Sequence, residues 1–121
     1  MARIIHSRCV LAVRDLQVST TYYADVLGFR KDPIDAEGLS FLSRDSFRVM
    51  LGECKDAQAA GELGDHSYFA YWNVEGIDDL YQELVSRGAL VSSAPIDKPW
   101  GLREFGLRTP DGHRIVCGQT I

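Results

Sequence analysis

Val74-Glu75-Gly76-Ile77-Asp78-Asp79-Leu80-Tyr81-Gln82-Glu83-Leu84-Val85-Ser86-Arg87-Gly88-Ala89 carries the clearest period in the chain. Ile77, Leu80, Tyr81, Leu84 and Val85 fall at i, i+3, i+4, i+7 and i+8, which is one apolar stripe on a helix. Arg87 lies in the last turn, and Gly88 stands where a left-handed C-cap belongs. Val74 closes a strand-like run before the helix. The same sentence is written once before. Val13-Arg14-Asp15-Leu16 closes a strand-like run, and a helical pattern from about Leu16 to Leu27 puts Leu16, Tyr23, Val26 and Leu27 on one side and ends at Gly28. The offset is 61 positions from Val13 to Val74 and 60 from Gly28 to Gly88, about half of the 121 residues. A self-similarity of that period is read as two copies of one supersecondary unit.

Each helix is followed by β-like runs: Phe29–Lys31, Leu39–Ser43 and Phe47–Leu51 after the first, Ala89–Ser92, Leu102–Thr109 and His113–Gly118 after the second. Thr109-Pro110-Asp111-Gly112 is a turn joining the last two as a hairpin. The stretch from Glu53 to His66, with Gly61, Gly64 and acidic residues, has no strong period and reads as a linker. Each half is therefore β-α-β-β-β, and the class is α+β. One domain over 1–121 is expected, with module one at about 4–53, a linker at about 54–66 and module two at about 67–119. Tyr23 and Tyr81 lie at core spacing and carry no functional expectation.

The composition, 45% hydrophobic and 25% charged, suits one core and is too short a chain for two independent ones. A net charge of −4 without a basic stripe argues against nucleic acid and anionic membrane as partners. No apolar run approaches the roughly 18 residues that span a bilayer, and the N-terminus lacks a signal-peptide core. Cys9, Cys54 and Cys117 are odd in number and without close spacing, so reduced thiols in a cytoplasmic protein are expected. No Cys–His–acid arrangement and no strand-to-helix glycine loop for phosphate is legible.

Pro99-Trp100-Gly101-Leu102-Arg103-Glu104-Phe105-Gly106-Leu107-Arg108-Thr109-Pro110-Asp111-Gly112-His113 resembles the Trp-Gly-Arg-Glu-Phe…Asp-Pro-x-Gly-Asn signature of bleomycin-resistance proteins, with one residue inserted after Trp-Gly and Thr109 in place of Asp. Val13-Arg14-Asp15-Leu16 through Tyr22-Tyr23-x-x-Val26-Leu27-Gly28-Phe29 is similar to the first half of the wider vicinal-oxygen-chelate superfamily, which includes glyoxalase I, extradiol dioxygenases and fosfomycin-resistance enzymes. The resemblance covers essentially the whole chain. It implies partly open, curved sheets around a concave cavity. It implies far less about function, because one fold hosts many chemistries. In metal-using members four His or Glu ligands come from the first and last strands of each module. Carried over by the matched motifs, those positions are Arg8, Met50, Phe69 and Val116, none suited to Zn, Mn or Fe(II). No metal and no cofactor are expected. His6 and His66 lie close in sequence to two of these positions and are read as surface residues.

Strand alternation separates helix-packed from cavity-facing side chains. In the first strand Leu11 and Val13 pack, leaving His6, Arg8, Val10 and Ala12 inward. In the fourth Phe47, Val49 and Leu51 pack, leaving Arg48 and Met50. In the fifth Ser67, Phe69, Tyr71 and Asn73 face inward, with Tyr68 and Trp72 behind. In the seventh Phe105 and Leu107 pack, leaving Leu102, Glu104 and Gly106; in the last Ile115 and Cys117 pack, leaving Arg114 and Val116. Arg48 and Arg114, near strand ends, read as solvated. The candidate ligand-binding set is Arg8, Met50, Phe69, Tyr71, Trp100, Glu104 and Val116, an apolar lining with few polar anchors. Arg8 and Glu104 either anchor a ligand or pair with each other, since an unpaired charge mid-strand is costly. Trp100 is a lid or a stacking surface, and the resemblance favours the latter.

The leading expectation is a metal-free protein that binds a small antibiotic-like or aromatic molecule, with no catalytic residue. The resemblance implies a homodimer with paired crevices, though the modules could also satisfy each other within a chain. The alternative is a superfamily enzyme, an isomerase, lyase or thioltransferase with an absent or displaced metal, in which Glu104 is the acid/base. The acidic net charge suits a cationic ligand, whereas the inward arginines suit an anionic one.

Overall fold

The computed structural model describes residues 1–121, the side chains of Asp65 and His66 excepted. The chain divides into two compact units, Met1–Ala57 and Gln58–Ile121. Among the described residues no helix is long and apolar enough to cross a membrane.

In the first unit β1 (Cys9–Val13) leads to helix α1 (Leu16–Thr21), which widens into a π turn over Tyr22–Val26. Asp15 caps α1 by accepting the Val18 N–H at 3.1 Å. The helical pattern to Leu27 therefore ends in i→i−5 bonding, with Leu27 N–H donating to the Tyr22 carbonyl at 3.0 Å. Strands β2 (Arg30–Lys31), β3 (Leu39–Arg44) and β4 (Phe47–Glu53) follow, in the sheet order β1-β4-β3-β2 with β1 and β4 parallel. Val13, Leu42, Val49 and Leu51 are buried on the face that meets α1, together with Tyr23 and Leu27. Tyr23, Phe29 and Phe47 pack edge to face there, at 5.3 and 6.0 Å between centroids.

The second unit opens with 3₁₀ turns over Ala60–Ser67. This corrects the reading of the whole stretch as linker. Ala60 is buried, and Gly61 N–H donates to the Asp111 carbonyl at 2.9 Å, so its backbone packs on the last hairpin. Strand β5 (Tyr68–Asn73) precedes α2 (Ile77–Ser86), followed by β6 (Leu90–Val91), β7 (Ile96–Asp97), β8 (Leu102–Arg108) and β9 (Arg114–Thr120). The sheet order is β5-β9-β8-β6, with β7 also pairing β8. Ile77 and Leu84 are buried, and Tyr81 meets Phe105 at 5.5 Å. Gly88, at φ +96, ends α2 as its position suggested. Phe105, Leu107, Ile115 and Cys117 are buried on the helix face, as alternation placed them. Strand β7 was not legible as a strand. It forms a hairpin with β8 whose tip, Lys98-Pro99-Trp100-Gly101, closes through Gly101 N–H to the Lys98 carbonyl at 3.1 Å.

Candidate functional site

The polar groups of the helix-free face of the second unit follow from its register. Phe105, Leu107, Ile115 and Cys117 are committed to the core, so Glu104, Gly106 and Arg108 on β8, and Arg114, Val116 and Gly118 on β9, point the other way. Opposite one another stand Arg108 and Arg114, then Gly106 and Val116, then Glu104 and Gly118. Tyr71 lies beside Val116 on β5.

Glu104 organises one end of this face. Its Oε2 accepts the Tyr71 hydroxyl at 2.7 Å and the Trp100 Nε1–H at 3.1 Å. Burial, then the hydrogen bond to Glu104 and its charge, push the Tyr71 phenol up to about 12. The ring lies flat because residue 118 is glycine: a Cβ there would collide with the Tyr71 hydroxyl and stand 2.5 Å from Cζ. Trp100 remains 62% exposed although its N–H is bonded, and the Lys98 ammonium sits 5.8 Å from its ring centroid. Below them a cleft of about 310 Å³ runs along β8, with Leu90, Ser92, Ile96, Gly106, Arg108 and Arg114 among its lining. Ser92 Oγ accepts the Gly106 N–H at 3.0 Å, which holds the β6 end against the cleft floor.

Three expectations for this unit are corrected. The register of β5 on β9 shifts between Tyr68 and Ala70, so Tyr68 opposes Arg114 while Ala70 opposes Ile115. That bulge brings Tyr68 round to the face of Tyr71 instead of behind it. Arg114 is accordingly no solvated strand end; its guanidinium lies 5.4 Å over the Tyr68 ring. Phe69, at the bulge, meets the His113 ring edge to face at 5.7 Å and is not part of the Tyr71–Trp100 wall. His113 is buried, which lowers its pKa, with the Asp111 charge opposing.

In the first unit Arg8 precedes β1 instead of lying mid-strand. Its Nη2 donates to Asp32 Oδ2 at 2.8 Å and its Nη1 to the Val49 carbonyl at 3.3 Å, with the guanidinium 5.2 Å over Phe41. Ser43 donates to the other Asp32 oxygen at 2.6 Å. The Ser43 bond, then that of Arg8, hold the Asp32 carboxyl below the usual carboxylate range against its burial. Arg8 thus has Asp32 as its acid, and Glu104 has Tyr71 and Trp100 as its donors. Met50 is half-buried between Val10 and Phe41 on the helix-free face. His6 is exposed, and His66 lies outside the described side chains. Asp32, Tyr68, Lys98 and Gly118 were missed. Asp32 is in a loop that no phase rule reaches, and glycine in a strand was the available signal for Gly118.

The four positions that the resemblance matches to metal ligands carry here a guanidinium, a thioether, a phenyl ring and an isopropyl group, and Arg8 is tied to Asp32; none of these side chains suits a divalent ion.

A family model described as the Glyoxalase/Bleomycin resistance protein/Dioxygenase superfamily matches residues 5–117. Bleomycin resistance proteins of Geobacillus stearothermophilus and Staphylococcus aureus are each 29% identical over 131 residues, covering 98% of this chain and 98% of theirs. Among solved structures, TnmS3, an antibiotic binding protein from Streptomyces sp. CB03234, superposes with a TM-score of 0.78 at 19% identity, covering 100% of this chain and 99% of that one. TioX from Micromonospora sp. ML1 gives 0.72 at 24% identity, covering 95% and 99%.

Proposed function

We propose that this chain, which belongs to the glyoxalase/bleomycin resistance protein/dioxygenase superfamily, binds a planar, antibiotic-like or aromatic small molecule without metal and without chemistry. The observation that carries the reading is Glu104, which lines the cleft and holds two aromatic rings beside it. An indole 62% exposed to water, yet fixed through its N–H, is a surface prepared for stacking. The flat floor at Gly106 and the apolar sides at Val116, Ile96 and Leu90 suit a thin, rigid guest. Glu104 spends Oε2 on two donors, which favours a positioning role over proton transfer. The relatives that are named bleomycin resistance proteins and the neighbour named an antibiotic binding protein support the same class.

A homodimer in the cytoplasm accompanies this reading. Strand β1 lies at a sheet edge, and Val10 upon it is 64% exposed, as are Ile4 and Ile5 at 90% and 79%. Such an edge is normally covered. Sedimentation giving a mass near the 13.5 kDa of one chain at micromolar concentration refutes the dimer.

The binding test uses tryptophan fluorescence with (hydroxymethyl)anthraquinone as a neutral planar probe. Saturable quenching is expected, and Trp100→Ala should weaken it roughly tenfold or more while leaving the melting temperature nearly unchanged. Equal affinity in the variant would remove Trp100 from the site.

A further inference from the structure

The stacking surface beside the cleft is already in use by the chain itself. The Lys98 ammonium stands over the Trp100 ring, 5.8 Å from its centroid, which is within the range of an attractive cation–π contact. Lys98 also lines the cleft, together with Glu104. One side chain therefore touches both the cleft and the indole next to it. The acids nearest to it in sequence are engaged elsewhere: Asp97 accepts from Arg103 at 3.0 Å, and Glu104 Oε2 accepts from Tyr71 and Trp100. Backbone, not side chain, fixes Lys98 in the hairpin tip. Its N–H donates to the Leu102 carbonyl at 2.7 Å, and its carbonyl accepts the Gly101 N–H at 3.1 Å. The side chain can thus turn about its own bonds without disturbing the tip.

We infer that Lys98 gates the indole: its ammonium occupies the face of Trp100 that a planar guest needs, and binding exchanges the ammonium for the guest's ring. The inference rests on the reading of this cleft as the aromatic site. Of the two groups the lysine is the one that yields. Trp100 is tied through Nε1 to a carboxylate that also holds Tyr71, and a charge-assisted bond of this kind fixes direction. An ammonium over a ring carries no such constraint, and its flexible stem lets it turn aside. A guest that needs the uncovered ring binds only to the fraction of molecules in which the lysine has turned away, so its affinity is reduced by that fraction. The reduction is the same for every stacking guest. Single-ring compounds, which bury little area, fall out first, and fused ring systems are retained.

Two measurements test the gate in Lys98→Gln, which removes the charge, and Lys98→Arg, which places a more strongly stacking cation there. The first needs no guest. Quenching by iodide is compared with quenching by neutral acrylamide, and Trp100→Ala gives the background of Trp72. An ammonium over the ring draws iodide to it, so the iodide-to-acrylamide ratio for Trp100 should fall in Lys98→Gln and hold in Lys98→Arg. The second titrates each protein with (hydroxymethyl)anthraquinone. Lys98→Gln should bind it about two- to fivefold more tightly than the natural protein, and Lys98→Arg more weakly. Each variant makes its own comparison with the natural protein, so failure of one to fold leaves the other to decide. The reverse order of affinities makes Lys98 an anchor for the guest and overturns the gate. Equal affinities, or an iodide ratio unchanged in Lys98→Gln, overturn it as well, while weaker binding by Trp100→Ala leaves the aromatic site standing. Failure of the natural protein and both variants to bind overturns both readings.

Discussion

Gly118→Ala tests the organisation of the site at its least obvious residue. The new methyl carbon would overlap the Tyr71 hydroxyl, stand 2.5 Å from Cζ and lie 3.0 Å from Cε1. Real Cβ contacts do not fall so short, so Tyr71 must swing off the sheet. The swing breaks its 2.7 Å bond to Glu104. A hydrogen bond to a charged acceptor contributes roughly 1.5–3 kcal/mol. Against this, alanine in place of a strand glycine restores about 0.5–1 kcal/mol through the unfolded chain. The net expectation is a loss of about 1–2 kcal/mol, or a melting temperature lower by roughly 3–10 °C for a domain of this size. A second reading comes from the phenol itself. Tyr71 titrates at about 12 because of burial and Glu104. Since the folded value is raised above the unfolded one near 10, the stability it represents is whole below about pH 10 and is lost as pH climbs toward 12. In the variant, phenolate absorbance should appear at lower pH, and this alkaline decline should flatten. Unchanged stability with Tyr71 still titrating near 12 would refute the claim that the glycine holds the ring flat.

Asp32→Asn should cost about 1.5–3 kcal/mol, because Asp32 and Arg8 are only 8% and 18% exposed and Ser43 and Arg8 both bind the carboxylate. The folded pKa is depressed, so this stability is present above the unfolded value and lost as pH falls through the folded one; chemical denaturation should show the two proteins converging below about pH 4. Gly112→Ala combines a φ of +84 with a Cβ 2.6 Å from the Gly61 Cα, and should cost roughly 2–4 kcal/mol and expose the Ala60–Ser67 turns to limited proteolysis. Elemental analysis of purified protein should find no divalent metal; stoichiometric Zn, Mn, Ni or Fe whose removal by chelator lowers the melting temperature would contradict the reading of Arg8, Met50, Phe69 and Val116.

Whatever is periodic in this chain was legible from the sequence. The stripe Ile77–Val85, the glycine after it and the 61-residue offset to Val13 were sufficient for two βαβββ units, and alternation assigned the faces of β4, β8 and β9 correctly. What alternation could not supply was a change of register or a partner outside a strand. The bulge at Phe69 adds one residue without altering the composition of β5, so Tyr68 was sent to the wrong face. Arg8 continued the phase of β1 on paper, but the strand starts at Cys9, and the guanidinium reaches a loop carboxylate 24 positions away. Strand β7 is two residues long and follows a proline, too short for any period to register. Of the candidate site, the grouping of Glu104, Trp100, Tyr71 and Val116 on one face could be assembled from phase and resemblance. Lys98, Tyr68 and Gly118 could not, because each depends on where a neighbouring chain segment passes.

The bulge between Tyr68 and Ala70 separates what a strand is made of from what it displays. Removing one residue there would exchange which side chains of β5 share the face of Tyr71 upstream of Ala70, while every remaining amino acid retained its identity. Two relatives could then carry nearly the same letters in this strand and display different surfaces, Tyr68 in one and its neighbour in the other. Divergence of binding preference in such a sheet can proceed by slippage of one position as readily as by replacement, and a column-by-column alignment would score the slip as a single gap.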